Sequence, residues 1–365
     1  MPVEFIGWIA GHANSEVVTY PGPTFDPAVV RRTAEVHEQA DFDRVLIGTH
    51  SIMPDGVVVG TYAAAVTDRL GFLLSHRPGF AAPTVAARQI ATLDHVCGGR
   101  LALHLIAGST DQDQQRDGDY LSHADRYRRM AEYAVLLKRA WTEPEPFDFE
   151  GEFYRMSGAW SAVRCLQSPH VPIYGGGGSE EALSSLVPLV DCFMLWGEPL
   201  ADTAEVMNRV RATAATRGRT LRFSLSTRPI IAATEDEAWA KAQRYLEIAS
   251  ARFKRRVQPP PNVGSQRLLA VADRGEVHDS CLWTALARAT GAPGNSTCLV
   301  GTPDTVAEAL AAYFDLGATT LLIRGWDPLV DAQDYGRELI PRVRELVAKR
   351  DSRSAGKPGS GPERP

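Results

Sequence analysis

The sequence is poor in the features that would place it in several large protein classes. Its cysteines, Cys97, Cys165, Cys192, Cys281 and Cys298, are odd in number and scattered, with no C-x-x-C spacing. That pattern argues against both a disulfide framework and a structural zinc site. No apolar run approaches the roughly 20 residues needed to cross a bilayer. Charge is nearly balanced, with 39 Lys and Arg against 44 Asp and Glu, so the basic footprint of a nucleic-acid binder is missing. The nine histidines contain no H-E-x-x-H pair, and no metal site is expected. There is no Walker lysine, no G-x-G-x-x-G run and no G-x-S-x-G elbow, which removes the usual nucleotide and serine-hydrolase signals. The opening stretch MPVEFIGWIAGHANSE lacks a basic n-region and a small-residue cleavage site. No signal peptide is therefore expected, and a cytoplasmic location is.

What is present is core material and a repeat. The 365 residues are 44% hydrophobic and 23% charged, ordinary globular usage with enough apolar surface for a large core. Short apolar runs at 5–9, 44–47, 70–74, 101–106, 172–174, 192–195, 221–231 and 319–323 read as strands. Helical stretches fill the gaps, near 26–40, 57–67, 84–96, 123–141, 180–188, 200–217, 235–253, 304–315 and 332–349. Gly98-Gly99 closes one of them with a C-cap signature. Strands alternating with helices predict an α/β fold with a parallel sheet. Eight such units predict a (β/α)8 TIM barrel with insertions, while a doubly wound open sheet also fits the pattern. The reading is a single domain over 1–350 with insertions at 142–171 and 254–300, followed by a disordered tail at 351–365 rich in Ser, Gly, Pro and charge. The first insertion holds a hairpin-like Asp148–Tyr154, and the second, before the last strand, is expected to be a mobile lid.

A barrel places its chemistry on the loops that follow its strands. Those loops hold His12 and Asn14, then Thr49, His50, Met53 and Asp55, then His76 and Arg77, then Gly108, Ser109 and Thr110. The later ones hold Gly175-Gly176-Gly177-Gly178-Ser179, Trp196 and Glu198, and Arg324-Gly325-Trp326-Asp327, while Ser226 and Arg228 lie on the seventh strand itself. Glycines between a strand and a helix start let backbone amides approach an anion, and the helix dipole adds to the attraction. A phosphate on Gly177, Gly178 and Ser179 is one reading; a flexible turn with a Ser N-cap is the other, and the spacing leaves both open. No carboxylate pair has a distinctive spacing, so Asp55, Glu198 and Asp327 are acid–base candidates by location alone.

Arg77-Pro78, Pro83–Gln89, Ala91–Asp94 and Gly98-Gly99-Arg100 together resemble the bacterial luciferase-like flavin monooxygenases, and among them alkanesulfonate monooxygenase most closely. Gly108-Ser109, His123–Tyr127, Phe149–Tyr154, Trp196–Pro199, Asp236–Trp239 and Val300–Pro303 extend the likeness over about 3–348. The resemblance implies a (β/α)8 barrel, dimeric or tetrameric. It implies reduced FMN as co-substrate, delivered by an NAD(P)H-dependent flavin reductase, with dioxygen and a small organic molecule as the other reactants. It also implies that Gly177, Gly178 and Ser179 hold the FMN phosphate, that Ser109 and Tyr127 contact the flavin, and that His12 and Trp196 reach flavin or substrate.

The same resemblance implies Cys, Arg, His and Tyr where this chain has Met53, Ser226, Arg228 and Trp326. Met53 and Trp326 make the expected pocket more apolar. Arg228 keeps a positive charge on the strand face of Ser226, two residues away, where it could pair with an anionic oxygen group. Arg288, behind Leu282-Trp283, is a candidate loop clamp, and Arg324 a candidate replacement charge. The resulting expectation is an FMN-dependent monooxygenase acting on an alkanesulfonate, another organosulfur compound or a less polar molecule. A deazaflavin-dependent oxidoreductase of the same fold and a non-catalytic flavin-binding relative are the alternatives. Trp196 and Trp326 are expected beside the flavin.

Overall fold

The computed structural model describes residues 2–12, 14–108, 110–253, 260 and 262–355. The first half of the chain repeats strand and helix: β1 (Glu4–Ile9), α1 (Pro27–Gln39), β2 (Arg44–Ile47), α2 (Gly56–Ala64), β3 (Gly71–His76), α3 (Pro83–Val96), β4 (Leu101–Leu105), α4 (Asp111–Arg116) and α5 (His123–Thr142). A hairpin of β5 (Phe147–Glu150) and β6 (Arg155–Ala159) follows, then β7 (Ile173–Gly176), α6 (Glu180–Leu186), β8 (Cys192–Trp196), α7 (Leu200–Ala215), β9 (Arg222–Ile231) and α8 (Glu235–Arg252). The second insertion holds α9 (Val263–Arg274), β10 (Val277–His278), β11 (Leu282–Trp283), α10 (Ala285–Thr290) and β12 (Cys298–Gly301). The chain ends with α11 (Pro303–Asp315), β13 (Thr320–Ile323), α12 (Val330–Asp334), a π-helical turn and α13 (Ile340–Ala355).

Eight strands, β1, β2, β3, β4, β7, β8, β9 and β13, pair in parallel around a closed ring. Their residues are buried on both faces, because one face looks into the barrel and the other lies under helices. Alternation sorts them. Ile6, Leu46, Leu73, Ala102, Tyr174, Cys192 and Leu322 form the inner core, while Phe5, Val45, Phe72 and Leu103 join the outer core beneath the helices. The open-sheet alternative is thereby excluded.

The helix boundaries follow local chemistry. Asp26, Asp55, Ser122, Ser179, Thr234 and Thr302 cap helix N-termini with their side chains, as short polar side chains do for unpaired amides. Thr234 and Glu237 form a full capping box. The expected glycine stop is present: Gly98 and Gly99 take φ of 61° and 78°, and the Gly99 amide donates to the Asp94 carbonyl at 2.8 Å.

The second insertion is more regular than its sequence suggested. β9 is ten residues long; its first part belongs to the barrel, and its last four residues pair in parallel with β12. β11 and β10 extend that edge antiparallel. Strands of two residues are too short to leave a periodic signature. At the C-terminus α13 continues through Ala355, so the first five residues of the expected disordered tail are helical; the remainder lies outside the described residues.

Candidate active site

The strand order brings the loops after β1, β2, β3, β4, β7, β8, β9 and β13 to one mouth, where they enclose a cavity of about 770 Å³. His12, Met53, Tyr127, Gly177, Gly178, Ser179, Trp196 and Arg228 all line it. Residues from six separate segments of the chain therefore share a single space. The second insertion supplies part of the wall through Gly264, Arg267, Thr290 and Pro293–Ser296.

One end of the cavity is a backbone cradle. A Cβ on Gly177 would lie 2.5 Å from Ala182 Cβ and 2.6 Å from the Tyr127 hydroxyl. A Cβ on Gly178 would meet Val263 at 3.0 Å. Glycine is thus required for the chain to pass this close to α5 and α6 along the cavity wall. Ser179 caps α6, its Oγ accepting from the Ala182 amide at 3.2 Å. Tyr127 is buried, and burial pushes its phenol up to about 12, so it stays a neutral donor. Arg209 and Arg267 border the same end. Each is tied to a carboxylate, Arg209 to Glu180 and Arg267 to Glu198.

A second wall, below β2 and β3, carries a polar network. His50 Nδ1 lies 2.8 Å from Asp113 Oδ1, and the Ser51 amide donates to the same oxygen at 3.0 Å. Arg77 ion-pairs with Asp113 at 3.3 Å and with Asp117. His104 sits nearby on β4, and burial lowers it to about 4, leaving a neutral imidazole. Sequence reasoning found His50 and Arg77 but missed Asp113, which lies four residues beyond the loop glycine-serine pair in α4. Its signal was the Thr110 N-cap followed by two acidic residues in the first turn.

The third wall is the charged cluster of Glu16, Arg228 and Arg324. Arg228 donates to both oxygens of Glu16, each at 3.0 Å, and to the Gly325 carbonyl at 3.1 Å. Its guanidinium carbon is 3.3 Å from the centroid of Trp326. Only 1% of Arg228 is exposed. Arg324 approaches Glu16 at 3.5 Å and lies 4.7 Å over the Trp8 ring. Burial raises the Glu16 carboxyl, but Arg228 and Arg324 outweigh it and hold the group at about 2. Glu16, two residues beyond Asn14 in the loop after β1, carries no sequence signal of its own.

Two sequence expectations change. Trp326 is fully buried between Arg228 and Tyr245 and does not line the cavity. The loop after β13 folds back, since the Trp326 and Asp327 amides both donate to Asp331, and this turns the indole into the core. Trp8, not Trp326, accompanies Trp196 at the cavity. Arg288 also fails to reach the space: it bonds the Ala272 carbonyl and Asp273 because α10 directs it outward, with 52% of its side chain exposed. Ser109 lies outside the described residues. Of the acid–base candidates, Asp55 is occupied as an N-cap, Asp327 accepts from Tyr20 at 3.1 Å, and Glu198 is held by Arg267. Ser226 lines the cavity and accepts from Asn295 at 3.0 Å. Among the described residues, no group of three or more His, Cys, Asp or Glu is placed to hold a metal ion, and no helix is long and apolar enough to cross a membrane.

A closed parallel barrel with a large cavity at the strand C-termini, a glycine cradle at one end and charged walls at the other, defines a cofactor-scale binding barrel. Residues 3–320 match the model of the luciferase-like monooxygenase family, and the chain belongs to that family. Among solved structures, a riboflavin lyase with modified FMN and riboflavin is 20% identical, with 95% of this chain and 92% of that one covered at a TM-score of 0.78. The EDTA monooxygenase of Chelativorans sp. BNC1 is 17% identical, covering 96% and 95% at 0.75. An F420-dependent secondary alcohol dehydrogenase with an F420–acetone adduct is 15% identical, covering 94% and 99% at 0.67. At these identities the likeness is one of fold.

Proposed function

We propose that the protein is a two-component monooxygenase that takes reduced FMN as co-substrate and uses dioxygen to oxygenate a small organic molecule. The observation that carries this reading is the cradle at Gly177, Gly178 and Ser179 on the cavity wall, where an added Cβ on Gly177 would meet Ala182 and the Tyr127 hydroxyl. A flavin phosphate fits that cradle, since glycine backbone at a helix start can approach an anion closely. When bound, reduced flavin supplies the electrons that activate dioxygen, which no amino-acid side chain can do.

The chain's own residues have separate tasks. Gly177, Gly178 and Ser179 hold the phosphate, and Tyr127 donates a hydrogen bond beside it. Trp8 and Trp196 form apolar surfaces for the ring system. His12, whose Nδ1 accepts from the Asn14 amide at 3.1 Å, keeps its other nitrogen for a ligand. Arg228 fixes Glu16 and the loop after β13; it positions rather than reacts. The second insertion, which already forms cavity wall, excludes water as a lid. Substrate meets Met53 and the outer wall; alkanesulfonates and other organosulfur compounds are the first candidates. An NAD(P)H-dependent flavin reductase is the required partner, cytoplasm the setting, and a homodimer or homotetramer the assembly.

The competing reading is a deazaflavin-dependent oxidoreductase, because a relative of the same fold works with F420 and the cradle would take that phosphate too. Anaerobic reconstitution with each reduced cofactor, followed by admission of oxygen, separates them. Binding of reduced FMN with substrate-dependent oxygen uptake supports the proposal. Binding of F420 with no oxygen uptake replaces it.

A further inference from the structure

Of the five arginines that line the cavity, one lacks a carboxylate of its own. Arg77, Arg209, Arg267 and Arg228 each have an acidic partner in close contact: Asp113 and Asp117, Glu180, Glu198, and Glu16. Arg324 has none of its own. It shares Glu16, whose two oxygens already accept the Arg228 fork at 3.0 Å each, and its own approach is 3.5 Å. Among the described residues no side-chain hydrogen bond from Arg324 is found, and its Nε is buried without a partner. The Trp8 ring lies 4.7 Å from its guanidinium, both residues line the cavity, and a quarter of the Arg324 side chain is exposed. Burial and the neighbouring Arg228 push the Arg324 guanidinium down to about 10, with Glu16 only partly offsetting them. That direction is the one expected of a cation whose countercharge is incomplete.

We propose that Arg324 is the substrate-anchoring residue, and that the substrate is an organic anion whose terminal carboxylate or sulfonate completes the unfinished ion pair. The inference deepens the proposed function and rests on it for its catalytic meaning. The flavin phosphate is a poor candidate for this position, because the Gly177–Ser179 cradle follows β7, three strands round the barrel from β13. Arg324 is suited to an oxyanion because a guanidinium presents paired donors in one plane. The Trp8 face beneath it holds the cation in place. This revises the expectation of a less polar substrate. Trp326 contributes no apolar surface to the cavity, while Arg324 contributes charge.

Calorimetric titration of the flavin-free protein with octanoate, 1-octanesulfonate and 1-octanol tests it without relying on turnover. The expected result is that at least one anion binds about tenfold or more tightly than the alcohol, the ratio expected of one charge-assisted contact. Arg324→Gln should abolish that preference while leaving octanol affinity and reduced-FMN affinity unchanged. Arg324→Lys should restore part of it, which separates lost charge from lost folding; thermal melting of both variants checks the fold. Equal affinity for octanol and the anions, no anion binding at all, or an anion preference that survives in Arg324→Gln would each overturn the proposal. Failure of reduced FMN to bind while the anion preference holds would instead count against the monooxygenase reading alone.

Discussion

The guanidinium carbon of Arg228 sits 3.3 Å from the centroid of the Trp326 ring, and the two side chains are buried to 1% and 0% exposure. Two of the four departures from the sulfonate-type pattern are therefore a single contact. A larger cation on β9 and a larger ring after β13 fit each other, and Glu16 closes the stack from the cavity side. Their joint replacement reshapes the wall and does not by itself indicate a lost reaction.

Removing Arg228 should therefore be felt first in stability. Arg228→Ala is expected to cost about 3 kcal/mol, since it strips Glu16 of its bidentate partner and empties the space above Trp326. A double-mutant cycle of Arg228→Lys with Trp326→Leu should show a coupling of about 1–2 kcal/mol, the scale of a desolvated cation–π contact. Urea unfolding measures both. Strict additivity would show that the stack has no energetic content.

Acid should destabilise the fold in two stages. His37, His76 and His104 are pushed down to about 4 by burial. The unfolded chain therefore takes up protons first, and stability falls as pH drops from about 6.5 towards about 4, by up to about 3 kcal/mol for each group. Glu16 acts lower. Its folded value of about 2 lies below the ordinary carboxylate range, so its contribution is complete above about 4.5 and is lost as pH falls towards 2. His37 is the clearest case, with its Nδ1 2.8 Å from the Thr33 carbonyl inside the core. Replacing it by Asn should flatten the upper stage, measured as the urea midpoint between about pH 7 and about pH 5.

The cradle makes a separate forecast. Gly177→Ala should weaken reduced FMN by about tenfold or more, because the new methyl would lie 2.6 Å from the Tyr127 hydroxyl. It should affect reduced riboflavin much less, since riboflavin has no phosphate to lose. Tyr127→Phe should cost FMN about 1 kcal/mol. Equal losses for FMN and riboflavin in both variants would place the phosphate elsewhere. Fluorescence titration supplies all four affinities.

Arg288→Ala should leave substrate affinity and turnover within about twofold of the parent, as expected for an exposed residue bonded away from the cavity. A large rise in KM would show that α10 swings inward during the reaction, which the present arrangement gives no reason to expect.

The barrel itself was readable in the sequence because each strand is a short apolar run and each helix carries its own caps. Parallel strands buried on both faces need continuous apolar residues, and Val45-Leu46-Ile47 or Leu101–Leu105 leave little other interpretation. Position after a strand was also enough to find His12, Met53 and Gly177, and position on a strand to find Arg228. What sequence could not supply was direction. Trp326 follows β13 as an active-site residue would, yet the Asp331 carboxylate captures its amide and turns the indole inward. Arg288 lies on a helix of six residues, too short for its facing side to be read from periodicity. Glu16 and Asp113 became visible only through their partners, Arg228 and His50, which are more than sixty residues away in the chain.

The most direct test of the account is an anaerobic titration of the protein with reduced FMN, followed by tryptophan fluorescence. Trp8 and Trp196 line the cavity and Trp326 does not. The account predicts saturable quenching, much weaker binding of oxidised FMN, and loss of most of the signal in a Trp8→Phe, Trp196→Phe double variant. Absence of quenching by reduced FMN, or a signal that persists in that variant, would contradict the placement of a flavin in this cavity.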